Sequence, residues 1–239
     1  MGIIIVTGGG TTEKIDEVRG ISNFASGRLG SLIAQEAYES KHYSKVYYVY
    51  GKGALLPENK EINLIECSDT QSVLDTLSDL CEKEEVSAIV HSMAVSDYRI
   101  KCVSDLDRIN NELANNKSLE EAIISSSYDN STKLSSNIDN PVLLMEKTPK
   151  IISFLKEKAG NAKLVGFKLL QNVSEKELLT TAYNLLVKNN CDYVLANDGA
   201  KIKGDEHHAY LLNKNKEYRR YKSKQEIAKG IIKVLTEEL

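Results

Sequence analysis

Short runs of β-branched residues alternate with helical periodicities along most of this chain, and no other feature restricts its fold so tightly. Ile3 to Val6 reads as a buried strand, followed by a helix in which Leu29, Leu32, Ile33 and Ala37 share one face. Strands over Val46 to Tyr50 and Ile62 to Ile65 precede a helix from about Thr70 to Cys81, whose Val73, Leu74, Leu77 and Leu80 point inward; Val86 to Val90 is the next strand. Thr148-Pro149 predicts a helix start, with Thr as N-cap and Pro in the first turn. Lys163 to Leu169 and Asp192 to Ala196 read as strands, and Ser174 with Glu177 and Ser223 with Glu226 read as capping boxes opening two helices. Parallel strands need a crossover to return the chain to the same end, and helices supply it here. The expected fold class is therefore α/β: a doubly wound, Rossmann-like, mostly parallel sheet with helices on both faces.

Two segments break the rhythm. Ala209 to Leu212 and Glu217 to Tyr221 flank the turn Asn213-Lys214-Asn215-Lys216, which predicts a small antiparallel C-terminal hairpin. Arg99 to Asn140 is loaded with Asn, Ser and Asp, is too long for an ordinary connection and reads as a mobile lid or a disordered stretch, with some helix around Leu119 to Ile124. With only 3 Pro and no Pro/Gly-rich linker in 239 residues, one domain over 1–239 is expected, with the lid at about 99–140.

Composition narrows the function. A formal net charge of -3 gives no overall field for a polyanion, which argues against a nucleic-acid partner. No apolar run approaches the length of a membrane span, and the first residues lack a cationic, apolar leader, so no membrane association is expected. Cys67, Cys81, Cys102 and Cys191 show neither Cys-x-x-Cys spacing nor a cluster with His42, His91, His207 and His208; scattered single thiols point to the reducing cytoplasm.

In open α/β sheets ligands bind beyond the carboxyl ends of the strands. After the first strand comes Thr7-Gly8-Gly9-Gly10-Thr11-Thr12, where glycines can free backbone N–H groups for phosphate oxygens or can simply make the turn. A Walker A loop is excluded because no Gly-Lys-Ser/Thr follows, and Gly-x-Gly-x-x-Gly counted from Gly8 fails at Glu13. Ser26-Gly27-Arg28-Leu29-Gly30 then enters the first helix, and two glycine turns near one helix N-terminus suit an anion. The segment His91-Ser92-Met93-Ala94-Val95-Ser96-Asp97-Tyr98 follows another strand; Asp97 is a ligand acceptor, a metal contact or a turn residue, and His91 reads first as a core histidine. Gly166-Phe167-Lys168 and Ala196-Asn197-Asp198-Gly199 end later strands with an aromatic face, an ammonium and an amide.

Read together, these segments resemble the phosphopantothenate-cysteine ligase (phosphopantothenoylcysteine synthetase) family in its free-standing bacterial form. The resemblance is carried by Thr7-Gly8-Gly9-Gly10-Thr11, Asp16-Glu17-Val18-Arg19, Ile21-Ser22-Asn23-Phe24-Ala25-Ser26-Gly27-Arg28-Leu29-Gly30, Ala94-Val95-Ser96-Asp97-Tyr98, Lys147-Thr148-Pro149-Lys150-Ile151-Ile152, Gly166-Phe167-Lys168-Leu169 and Ala196-Asn197-Asp198. Many bacteria fuse this ligase behind a flavin-dependent decarboxylase; without that domain the resemblance implies ligation only. It implies that a nucleotide, CTP with Mg2+, activates the carboxylate of 4'-phosphopantothenate, that L-cysteine then forms the amide of coenzyme A biosynthesis, and that the enzyme is a homodimer.

By resemblance, Asn23 contacts the activated carboxyl and Lys133 serves catalysis. Gly8, Gly9, Gly10, Thr11, Ser26, Gly27, Gly30, Phe167, Lys168 and Asn197 would bind the nucleotide, and Asn23, Met93, Ala94 and Asp97 the substrate, while the metal ligands stay unassigned. Two positions depart from the family: Ala25 stands where Ser is common, and Lys133-Leu134-Ser135-Ser136 replaces the Lys-x-Lys-Lys of the fused enzymes. Another reading is an NAD(P)-binding short-chain dehydrogenase, since Val6-Thr7-Gly8-Gly9-Gly10 imitates its cofactor loop; but Tyr50-Gly51-Lys52 offers no acid for a ribose, and Tyr-x-x-x-Lys occurs only where strands or the hairpin are expected, at Tyr48, Tyr210 and Tyr218. A non-catalytic nucleotide-binding module is the third.

Overall fold

The computed structural model describes residues 2–203 and 206–237. Strand β1 (Ile3–Gly8) is buried along its whole length and runs parallel to β4 (Lys45–Gly51) and β6 (Val86–His91). With β5 (Asn63–Cys67), β9 (Lys163–Leu170), β10 (Tyr193–Lys203), β11 (Glu206–Asn213) and β12 (Tyr218–Ser223) they form one sheet of order β12-β11-β10-β9-β6-β1-β4-β5. The strands from β10 to β5 are parallel, and β11 and β12 are the antiparallel extension expected from the C-terminal hairpin. Its turn is closed by the Asn213 side chain, whose Oδ1 accepts the N–H groups of Asn215 and Glu217, each at 3.0 Å.

Side chains alternate across a strand, so a strand covered on both faces must be apolar throughout. Ile4 and Val6 pack under α1 (Arg28–Glu39) and α7 (Lys224–Thr236), against Ile33, Ala34, Ile227 and Ile231. Ile5 faces the other way, into a second core built with α2 (Thr70–Lys83), α5 (Ile151–Lys158) and α6 (Glu175–Lys188) through Leu77, Leu155 and Leu178. Full burial of each such residue contributes about 1.5–3 kcal/mol. The doubly wound reading of the sequence therefore holds.

Local details differ from expectation. Helix α5 starts at Ile151 with Lys150 at the N-cap position, not at Thr148. The residue before a proline is driven toward extended backbone, and the Thr148 hydroxyl is already committed, donating to the Ser96 carbonyl at 2.5 Å. Ser174 and Ser223 do accept the N–H groups of Glu177 and Glu226, but Glu226 turns its carboxylate to the N–H of Lys222. Reciprocal capping boxes form instead at Asp69 with Ser72 and at Ser118 with Glu121.

The larger correction concerns Arg99 to Asn140, whose disordered alternative fails. Strand β7 (Tyr98–Asp105) pairs antiparallel with β8 (Pro141–Lys147), and α3 (Leu106–Leu113) and α4 (Leu119–Ser125) pack on this ribbon. Cys102, Ile109, Ala122 and Ile123, with Leu113, Val142 and Leu144 at the margin, make a third, separate core. Buried polar pairs complete it: Ser104 and Ser126 share a 2.6 Å hydrogen bond, and Asp105 caps α3 while accepting from the Tyr128 hydroxyl. A few apolar residues suffice because both helices are short and leave most of their surface in water, which is why the segment shows so little periodicity.

Candidate functional site

The carboxyl ends of β1 and β6 are stitched together by the loops that follow them. Gly10 and Ala94 form a parallel bridge, the Ala94 N–H donates to the Gly9 carbonyl at 2.9 Å, and the Thr11 N–H donates back to the Ala94 carbonyl at 3.2 Å. The same Ala94 carbonyl accepts Asn23 Nδ2–H at 3.1 Å, while the Asn23 backbone N–H donates to Thr11 at 3.1 Å. Asn23 is thereby held just after the short hairpin of β2 (Thr12–Lys14) and β3 (Gly20–Ser22), with one amide hydrogen still unassigned. Its neighbour Phe24 is wholly exposed.

Beneath this loop lies a buried hydroxyl network. The Ser96 N–H donates to Thr11 Oγ1 at 2.9 Å, that hydroxyl donates to Ser96 Oγ at 3.1 Å, and the Ser96 carbonyl takes Thr148 Oγ1. Glu13, also buried, accepts the Thr70 N–H at 2.9 Å and the Thr70 hydroxyl at 2.6 Å, so its carboxylate sits at the N-terminus of α2, where the dipole favours it.

The two glycine turns do meet. A Cβ on Gly27 would lie 2.7 Å from Ala54 Cβ and 3.1 Å from the Gly9 nitrogen, and one on Gly10 would lie 2.1 Å from the Asn23 carbonyl oxygen. Gly9 and Gly27 also have φ of 80° and 70°, so side chains are excluded there by protein packing and backbone alone. Thr11 is fully buried and its N–H is spent on Ala94, so the nest expected over Gly8, Gly9, Gly10 and Thr11 does not present the Thr11 N–H outward. The start of α1 lies nearer to water: Gly27 at its N-cap has no side-chain cap, the first turn carries no acid, and the exposed Ser26 hydroxyl accepts the Arg28 N–H at 3.5 Å. Gly30 packs under it, its would-be Cβ 2.9 Å from the Thr7 carbonyl.

A cleft of ≈ 200 Å³ opens between the loop after β6 and the start of α5, lined among others by Met93, Val95, Asp97, Lys150, Ile152 and Phe167. It unites Met93 and Asp97, expected on the substrate, with Phe167, expected on the nucleotide. Asp97 and Lys150 form an ion pair at its exposed rim. A larger depression, ≈ 660 Å³, lies around Gly2, Ser87 and Lys163 at the amino ends of the strands. Ligands of doubly wound sheets bind at the opposite ends, so the smaller cleft is the candidate site. Lys168 is half-buried and Asn197 buried on the neighbouring strands β9 and β10. Among the described residues no three His, Cys, Asp or Glu side chains gather as a metal site.

Lys133 is exposed, and among the described residues no contact joins it to Asn23. Its neighbour Leu134 is buried against the tip of the β2–β3 hairpin: its N–H donates to Asp16 Oδ2 at 3.0 Å, and its carbonyl accepts from Arg19 at 3.0 Å. Asn130 adds a 2.9 Å bond to the Ile15 carbonyl. The Arg19 guanidinium, together with the N–H groups of Val18, Leu134 and Arg19, holds the Asp16 carboxyl well below the usual carboxylate range, against burial that would raise it. Sequence reasoning missed this seat, the Ser96 network and the Lys150 pair. The acids and hydroxyls at strand ends were the available signal, but their partners are 52 to 118 positions away.

The dehydrogenase alternative fares poorly. Tyr48 is fully buried, with its hydroxyl 3.1 Å from both the Gly27 and Leu55 carbonyls, and Tyr210 binds Glu175 at 2.8 Å. Neither is placed as a proton donor in the cleft.

The family model of the DNA/pantothenate metabolism flavoprotein C-terminal domain matches residues 2–120 and 125–239. The coenzyme A biosynthesis bifunctional protein CoaBC of Thermococcus kodakarensis is 29% identical over 213 residues, covering 89% of this chain and 45% of that protein. The chain thus spans about half the length of the curated relatives it matches. Among solved structures, the DNA/pantothenate metabolism flavoprotein from Streptococcus pneumoniae is 34% identical over 98% of both chains, with a TM-score of 0.86. The C-terminal domain of a coenzyme A biosynthesis bifunctional protein CoaBC shares the fold, at 22% identity, a TM-score of 0.70, and coverage of 98% of this chain and 94% of that one. Among the described residues, no helix is long and apolar enough to cross a membrane.

Proposed function

The chain belongs to the DNA/pantothenate metabolism flavoprotein C-terminal domain family, and from that membership we propose that it is a phosphopantothenate-cysteine ligase of coenzyme A biosynthesis. In this reading a carboxylate oxygen of 4'-phosphopantothenate attacks the α-phosphorus of CTP and pyrophosphate leaves. The L-cysteine amine then attacks the acyl carbon, CMP departs, the amine loses a proton, and 4'-phosphopantothenoylcysteine is released.

The observation that carries the reading is the position of Asn23, which is bonded to Ala94 and follows directly on the hairpin, close in sequence to the Gly27 start of α1. Its remaining amide hydrogen can stabilise the oxyanion of the acyl transfer, and an amide does not compete as a nucleophile. The α1 amides with Ser26, Gly27 and Gly30 take triphosphate oxygens, since a helix N-terminus without an acidic first turn attracts anions. Phe167, Lys168 and Asn197 border the nucleotide; Met93, Ala94 and Asp97 border the acid; Lys133 approaches the triphosphate when the 99–140 segment closes as a lid. Mg2+ is ordinarily held by substrate phosphates, water and one or two carboxylates, so it needs no protein cage, and Asp97 at the cleft rim could supply a carboxylate oxygen beside its Lys150 pair. When bound it neutralises triphosphate charge.

Exposed Phe24 beside Asn23 favours a homodimer in which a second subunit covers it. Four unpaired thiols, with burial pushing Cys191 up to about 12, suit the cytoplasm. The test is sustained pyrophosphate release from CTP that requires both 4'-phosphopantothenate and cysteine, with the acid alone giving no more than one pyrophosphate per site; release without the acid, or sustained release that cysteine does not stimulate, would reject the ligase.

A further inference from the structure

Thr7 and His91 are register partners at the carboxyl ends of β1 and β6. Thr7 Oγ1 lies 3.0 Å from His91 Nδ1 and accepts the Met93 N–H at 3.1 Å. Thr7 is fully buried, so its hydroxyl proton has no water to meet. A hydroxyl has one proton to give, and among the described residues the acceptor in reach is Nδ1. Thr7 therefore donates to Nδ1, which places the imidazole proton on Nε2. Burial draws the His91 pKa down to about 4, so the ring is neutral near pH 7.

Nε2 finds no hydrogen-bond partner among the described residues, yet it is not sealed in the interior as the ring nitrogens of His207 are. His91 is 8% exposed and lines the ≈ 200 Å³ cleft. The cleft is lined mostly by apolar side chains, Met93, Val95, Ile152 and Leu185 among them, and the Asp97–Lys150 ion pair sits at its rim. This volume is below the roughly 300–1,000 Å³ that holds a whole drug-sized ligand, so it admits one end of a ligand only.

We propose that His91, held by Thr7 as the Nε2–H tautomer, is a ligand-selecting donor that binds an uncharged carbonyl oxygen entering this cleft. A neutral donor among apolar walls discriminates by leaving itself unpaired with the wrong ligand, and it offers an anion no compensating charge. The inference rests on the ligase reading for its two sources of such an oxygen: the pyrimidine carbonyl of CTP and the amide carbonyl of 4'-phosphopantothenate.

Nitrogen-15 NMR of the imidazole rings in the intact protein tests it without relying on turnover. The free protein should show His91 with Nδ1 unprotonated and Nε2 protonated, and one of the two ligands, added alone, should shift Nε2 and slow its proton exchange; that ligand is the source. A proton on Nδ1 overturns the proposal, as does binding of both ligands, measured by calorimetry, with an unmoved His91 ring. If neither ligand binds, the ligase reading falls and takes the assigned ligands with it. His91→Leu should weaken the responsive ligand about tenfold or more while leaving the other within twofold, and His91→Gln, which keeps a terminal N–H, should recover most of the loss. Equal effects on both ligands, or none, reject a selecting role, and the NMR result stands even where His91→Leu fails to fold.

Discussion

The Asp16 carboxylate holds the backbone N–H of Leu134 at 3.0 Å, across 118 positions of sequence. Arg19 bonds the same carboxylate and the Leu134 carbonyl, so an acid and a base of one turn seat the segment carrying Lys133 on the β2–β3 hairpin, whose last residue, Ser22, is followed directly by Asn23. The two groups expected to act on the triphosphate and the acyl group are thus mounted on one hairpin.

Asp16→Asn should free that seat. Hydrogen exchange at the Leu134 amide should accelerate at least tenfold, while amides of β1 and β6 keep their protection. Because the folded carboxyl is held below its ordinary pKa, its contribution is present above the unfolded value of about 3.9 and is lost as pH falls through the depressed one. The gap in thermal midpoint between the two proteins should be flat from pH 7 to about 5 and close below about 4. A gap that widens on acidification would show that another group dominates.

Acid should also act through histidines. Burial lowers both His91 and His207 to about 4, so each is neutral when folded and protonates near 6.5 when unfolded. Stability should therefore fall as pH drops from about 6.5 toward 4, by at most about 1.4 kcal/mol per pH unit for each ring. His207, whose ring nitrogens are both buried without a partner among the described residues, is the cleaner probe. His207→Leu should flatten the pH dependence of urea unfolding between pH 6.5 and 5, and an unchanged slope would assign the effect elsewhere.

Asn23→Ala should fold and bind nucleotide nearly normally but lose on the order of 10²–10³ in kcat, the usual cost of one oxyanion donor. Turnover at saturation with both acid and amine decides the matter: a loss confined to KM would make Asn23 a binding residue.

CTP should support the reaction with a kcat/KM at least tenfold above that of ATP, and CTP with 4'-phosphopantothenate should protect the amides around Lys133 from exchange. Equal use of the two nucleotides, or amides already fully protected in the free protein, would remove the nucleotide preference or the lid respectively.

The buried architecture was legible because it repeats: Ile4, Ile5 and Val6 must face two cores, and Leu77 sits where a helical period demands it. Leu77→Ala should accordingly cost about 2–5 kcal/mol of unfolding free energy. The ribbon from Tyr98 to Lys147 escaped because its core draws on isolated residues such as Cys102 and Ile109, each flanked by polar neighbours. Thr148 read as a cap because its local context matches one, and only Ser96, which is remote in sequence, overrules it. His91 looked like an ordinary core histidine for the same reason: the proton that fixes its role comes from Thr7, on another strand.

The ribbon joins the sheet at its base, where Tyr98 pairs with Lys147 and where Thr148 is tied to the carbonyls of Ser96 and Asp97, and it is braced on the β2–β3 hairpin through Asn130 and Leu134. Strand β7 has eight residues, so the ladder is about 24 Å long at roughly 3.4 Å per residue. It is a lever arm with its fulcrum beside the cleft: once the Asn130 and Leu134 bonds to the hairpin let go, a pivot of about 10° at Ser96 would swing the far end by about 4 Å with the ladder hydrogen bonds unbroken. Such a pivot would gear a hydrogen bond gained or lost at the Thr148 hydroxyl into a displacement the length of a side chain.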